Sequence, residues 1–169
     1  PVTVFAAGIL LLLYPTFSDW WNTFRQSRAV DAYTEKVSEL DGAQYEEFWE
    51  EAEEYNRTLN ADSYLHPMTE AEKEKYEAVL NIEGNGMMGY VEIPSIDCLL
   101  PIYHGTDEAV LQIAVGHMEG TSLPIGGEGT HSVLSSHRGL PSARLFTDLD
   151  QLTEGDKFII HVLGGALVY

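Results

Sequence analysis

The residues best placed to do chemistry lie in the run Thr130-His131-Ser132-Val133-Leu134-Ser135-Ser136-His137-Arg138-Gly139-Leu140-Pro141. Apolar Val133 and Leu134 lead into a histidine, and Gly139 and Pro141 then force the chain to turn. A histidine at a strand end, just ahead of a forced turn, presents its imidazole at a rim. An imidazole titrates near neutral pH, so His137 there can give or take a proton. The single cysteine, Cys98, is a tempting nucleophile. It stands between Ile96-Asp97 and Leu99-Leu100 with no basic residue nearby, whereas a reactive thiol needs cationic surroundings. Cys98 therefore reads as a small buried residue. Arg138 reads as a salt-bridging residue.

Other chemistries find little support. His104, His117, His131 and His161 have long, irregular spacings, without a Cys or carboxylate pair at ligand distance, so no metal site is expected. His131 and His137, six apart on a presumed strand, would be about 20 Å from each other. Gly126-Gly127-Glu128-Gly129 lacks the Lys-Ser/Thr and the helix of a phosphate loop. The formal net charge of −18, from 27 acidic and 9 basic residues, repels phosphate backbones and excludes nucleic acid as a partner.

The elements that must position His137 are legible in outline. Val4 to Leu13 is almost wholly apolar, Tyr14-Pro15 closes the run, and Trp20-Trp21 follow as interfacial aromatics. The run is shorter than the ~20 residues of a full span, so residues 1–14 read as a partial transmembrane anchor. Residues 15–80 form a helical N-terminal region. Val30, Tyr33, Val37, Leu40, Tyr45, Phe48, Ala52, Tyr55 and Leu59 have helical spacing, and Asp41-Gly42 splits the stretch in two. A polar loop around 60–69 contains His66, Pro67 and Met68. Thr69 and Glu72 have capping-box spacing for a further helix.

From residue 81 to 169 the periodicity is that of strands: Tyr90–Pro94, Cys98–Tyr103, Thr130–His137, Lys157–Leu163, and a fifth from Ala166 after the hairpin signal Gly164-Gly165. Glu108–Ala114 reads as a short helix. The fold class is mainly β: short strands with Gly/Pro turns suggest a β-barrel or sandwich, preceded by two or three amphipathic helices and a membrane-helix stub.

Several collinear segments resemble class C, pilin-polymerising sortases. They are Met88-Gly89-Tyr90-Val91-Glu92-Ile93-Pro94, Leu100-Pro101-Ile102-Tyr103-His104-Gly105-Thr106, Val115-Gly116-His117-Met118-Glu119-Gly120-Thr121-Ser122-Leu123-Pro124, His137-Arg138-Gly139-Leu140-Pro141 and Leu145-Phe146-Thr147-Asp148-Leu149-Asp150. The resemblance implies a sortase-type β-barrel and a cysteine transpeptidase at the extracellular face of a Gram-positive-type cell membrane. Its partners would be a Leu-Pro-X-Thr-Gly-like sorting-signal peptide of a pilin or surface protein, an acceptor lysine of a pilin subunit, and the membrane through the N-terminal anchor. No dissociable cofactor is implied. His137 matches the family's catalytic histidine. The family's cysteine lies in a later Thr-Leu-x-Thr-Cys strand, with the oxyanion arginine beyond it. Neither stretch occurs here, so the chain is expected to be a truncated N-terminal portion, inactive by itself. The family's lid carries Asp-Pro-aromatic where this chain has His66-Pro67-Met68, so the resemblance implies a degenerate lid. The competing expectation is a non-enzymatic, membrane-tethered β-domain that binds peptides or assembles through an unpaired strand edge.

Overall fold

The structure is a computed structural model that describes residues 2–60 and 62–169; Pro1 of the expected anchor and Ala61 of the expected lid loop lie outside the described residues. Helix α1 (Val2–Ser38) runs unbroken for 37 residues with Pro15 inside it. The apolar run that Tyr14-Pro15 closes is thus the first part of a longer helix, which continues through the proline. Proline there forfeits only its own amide bond to the preceding turn, and the long flanking segments carry the helix across. Helix α2 (Gly42–Thr58) starts at Asp41, whose side chain accepts from the Gln44 amide while Gln44 reaches back to the Asp41 amide. Helix α3 (Glu70–Ala78) has the expected reciprocal cap between Thr69 and Glu72.

Strands β1 (Met87–Ile93), β2 (Cys98–His104), β3 (Val115–His117), β4 (Leu134–Ser135), β5 (Ile159–Val162) and β6 (Gly165–Val168) form one six-stranded sheet in the order β4-β3-β2-β1-β5-β6. The sheet is not closed. All neighbours are antiparallel except β2 and β3, which are parallel and joined by a crossover through the short helix α4 (Glu108–Leu111).

Two differences from the sequence reading concern the site. The stretch Thr130–His137 is not one strand; only Leu134–Ser135 pair with a neighbour. Upstream of them, side-chain oxygens take over the ladder's role: the His131 amide donates to Ser122 Oγ and the Val133 amide to Thr121 Oγ1. Local hydroxyls thus compete with regular pairing. Strand β3 has no sequence signal, because Val115-Gly116-His117 places a glycine and an imidazole at fully buried positions.

Both faces of the central strands are covered. Val91, Ile93, Leu100, Ile102, Ile160 and Val162 pack against Ala52 of α2 and Tyr76 of α3. Val30 and Tyr33 of α1 pack on Met87, with Tyr90 and Tyr103 beside them. A register irregularity between Met87 and Gly89 changes the parity of β1, so Met87 and Met88 reach separate apolar clusters. Sandwiching explains why β1 reads as nearly continuous burial rather than strict alternation.

Candidate active site

His137 lies two residues beyond β4, and three local contacts fix the turn that carries it. Ser136 Oγ donates to the Ala114 carbonyl at 2.7 Å. The His137 carbonyl accepts from the Phe146 amide at 3.2 Å. The Gly139 amide donates to Thr147 Oγ1 at 3.0 Å, and Gly139 has φ +74°, where a side chain would be strained. The imidazole is about one-third exposed, and its Nε2 lies 3.2 and 3.3 Å from the two oxygens of Glu108, the first residue of α4. Gln112, one turn on, donates to Glu108 Oε1 at 3.0 Å. That bond and the His137 contact hold the Glu108 carboxyl below the usual carboxylate range. Facing a carboxylate, Nε2 carries a hydrogen, which leaves Nδ1 as the atom free to exchange a proton. No local pattern in the chain points to Glu108, because 29 residues and a crossover separate it from His137.

A second group of residues supports β3. Tyr76 OH lies 2.9 Å from His117 Nδ1 and 2.9 Å from the His117 carbonyl, and it accepts from the Gly105 amide at 2.9 Å. His117 Nε2 is 2.8 Å from the Ser122 carbonyl, so that nitrogen bears the hydrogen, and the single Tyr76 hydroxyl hydrogen is divided between Nδ1 and the His117 carbonyl. Burial drives the His117 pKa down to about 4. It also raises the Tyr76 pKa. This neutral, satisfied network ties α3, the end of β2 and the β3–β4 loop together. His117 is therefore structural. His161 pairs with Glu92 at 3.0 Å and stacks on Tyr90.

Arg138 points away from His137 to Asp150. Cys98 opens β2, and His137 follows β4, two strands across the sheet, about 10 Å at normal strand spacing. Burial pushes the Cys98 thiol up to about 11, so it is protonated at neutral pH. The pair cannot form a thiolate–imidazole couple. Among the described residues no group of His, Cys, Asp and Glu is arranged to hold a metal ion.

In the lid-like segment, Ser63–Leu65 make a single helical turn, His66 and Pro67 are exposed, and Met68 packs against the core. His66, Pro67 and Met68 line a cavity of about 560 Å³ with Tyr55, Leu59 and Lys75. No hydrogen bond among the described residues joins them to His137. The segment instead rests on the β3–β4 loop at Gly120, where φ is +77° and a Cβ would fall 2.7 Å from Tyr64 Cα.

The family pattern described as the sortase domain matches residues 91–169. The crystal structure of sortase C1 from Streptococcus agalactiae is 46% identical, with 84% of this chain and 74% of that chain aligned and a TM-score of 0.79. The chain belongs to the sortase family. A Streptococcus pneumoniae sortase C structure is 42% identical, covering 84% of this chain and 72% of that one, at a TM-score of 0.71. Sortase D of Bacillus subtilis (strain 168) is 26% identical over all 169 residues, which span 72% of its length. The likeness to class C sortases runs over the N-terminal portion of that fold. The incomplete sortase-type sheet, its preceding helices and the long apolar N-terminal helix agree with the sequence reading.

Proposed function

We propose that this sortase-family chain serves as the histidine-bearing part of a class C transpeptidase that joins pilin or surface proteins. In that reaction a cysteine thiolate attacks the Thr carbonyl of a Leu-Pro-X-Thr-Gly-like signal. The Thr–Gly C–N bond breaks, His137 gives a proton to the departing glycine nitrogen, and the acyl chain remains as a thioester. A lysine amine of a pilin subunit then attacks the thioester, loses its proton to the imidazole and releases the thiolate. The reading rests on one observation: His137 sits on a braced turn at the sheet rim with its Nε2 against Glu108 and its second nitrogen free. The carboxylate holds the ring in place, and the unpaired nitrogen can then face a substrate.

Within these 169 residues the only thiol is buried and protonated, so they form no thioester unaided. His66-Pro67-Met68 acts as a degenerate lid that can gate access, with the preceding Ser63 and Tyr64 resting on Gly120 of the β3–β4 loop. The enzyme acts at the outer face of a Gram-positive-type envelope. α1 supports this placement, since it is long and apolar enough to cross a membrane and its apolar window is unburied.

The test uses a form of the chain extended with the family's cysteine and arginine strands, a sorting-signal peptide and hydroxylamine as acceptor. Acyl transfer should appear, and His137→Ala should abolish it. Transfer that survives His137→Ala, or an absence of transfer in the extended form, refutes the assignment. The latter result would favour a tethered β-domain without catalysis.

A further inference from the structure

Helix α1 does more than carry an apolar stretch: its polar residues clamp successive levels of the sheet domain. Asp19 Oδ1 accepts from the Arg144 amide at 2.7 Å, and Asn22 Nδ2 donates to the Ser142 carbonyl at 2.8 Å. Gln26 Nε2 donates to the Ile113 carbonyl at 2.8 Å. Further along, Tyr33 OH donates to the Met88 carbonyl and accepts from the Leu163 amide, each at 3.0 Å. Val37 lies against Gly164. The helix therefore lies along the domain from the His137 turn to the Leu163-Gly164 turn. Asp19 and Val37 are 18 residues apart, about 27 Å along the axis at roughly 1.5 Å per residue.

The part of α1 that clamps the His137 turn is also the part whose residues suit a membrane–water interface, next to the apolar stretch. Phe17, Trp20, Trp21 and Phe24 are all exposed and packed on one another, with ring centroids 5.8 to 6.4 Å apart. Exposed Arg25 and Arg28 follow within a turn, and Arg28 lies over the Phe24 ring. Aromatic rings followed by arginines suit the headgroup layer of a bilayer. An acidic surface would be repelled by anionic lipid, so these two cations stand where attraction is needed.

We infer that the domain is held with its His137 turn at the surface of a lipid bilayer and its Leu163-Gly164 turn facing away. Asp19, Asn22 and Gln26 act as the orienting clamp. The inference rests on the anchor reading above and adds which end of the domain meets the lipid. The site would then meet a peptide whose scissile segment is presented near the headgroups, not one projecting far from the membrane.

The full chain in phosphatidylcholine–phosphatidylglycerol vesicles with a headgroup nitroxide lipid tests this directly. Fluorophores are attached at Ser142→Cys, beside the His137 turn, and at Ala166→Cys, beside the far turn; buried Cys98 stays unlabelled. The Ser142→Cys probe should be quenched severalfold more than the Ala166→Cys probe. Asp19→Ala with Asn22→Ala should shrink that difference while leaving the circular dichroism of the chain unchanged. Trp49→Phe chains report insertion separately through Trp20 and Trp21. Quenched tryptophans with equal probes, or a more strongly quenched Ala166→Cys probe, overturn the orientation alone. Unquenched tryptophans overturn the anchor reading and the orientation with it.

Discussion

Acidification should weaken this protein through one buried imidazole. His117 is fully enclosed, its Nε2–H is committed to the Ser122 carbonyl, and its Nδ1 shares the Tyr76 hydroxyl hydrogen with the His117 carbonyl. Burial, the dominant cause, sets its folded-state pKa at about 4, against about 6.5 for a solvated imidazole. The depressed value means that the unfolded chain binds the proton first. The stabilisation is fully present above about pH 6.5, is lost as pH falls from there, and levels off below about pH 4. Between about pH 7 and about pH 4.5 the loss amounts to about 2–3 kcal/mol. His104, whose pKa burial also lowers, acts in the same direction. The measurement is therefore a difference of differences. Urea unfolding of the full chain in detergent, followed by near-ultraviolet circular dichroism, is compared for the parent and His117→Gln at both pH values. The variant should be less stable near neutrality but should lose about 2–3 kcal/mol less on acidification. Equal losses in the two proteins would refute the assignment of the acid sensitivity to His117.

Other consequences are as direct. In the extended, active form, Glu108→Gln should slow acyl transfer by weakening the contact that holds the His137 ring; an unchanged rate would show that the carboxylate is idle. Cys98 in the folded chain should resist a thiol reagent at neutral pH and react promptly in urea, as its raised pKa and burial require; fast labelling of folded protein would contradict the buried-thiol assignment. Tyr76→Phe leaves the buried Gly105 amide without its acceptor and should cost about 1–3 kcal/mol in the same urea assay. Gly120→Ala meets both a left-handed φ and the Tyr64 backbone. It should destabilise the chain by more than about 1 kcal/mol and open residues 59–66 to proteolysis first; unchanged cleavage would show that this loop does not rest on Gly120.

The sequence alone determined what depends on neighbours along the chain. Asp41 with Gln44, and Thr69 with Glu72, set two helix starts because a capping side chain reaches only its own first turn. Gly164-Gly165 marked the β5–β6 turn, and the letters around His137 marked both the family and the candidate acid. Tertiary structure decided everything that depends on which strands become neighbours. It laid β3 beside β2 in parallel, although three residues with a buried glycine and histidine carry no periodic signal. It replaced most of a presumed strand at Thr130–His137 with hydroxyl-satisfied extended chain. It brought Glu108 to His137 across 29 residues, and Asn22 of α1 to Ser142 across 120. Those pairings are hydrogen bonds between groups distant in sequence, so their geometry exists only once the hydrophobic faces of the sheet have closed on the helices.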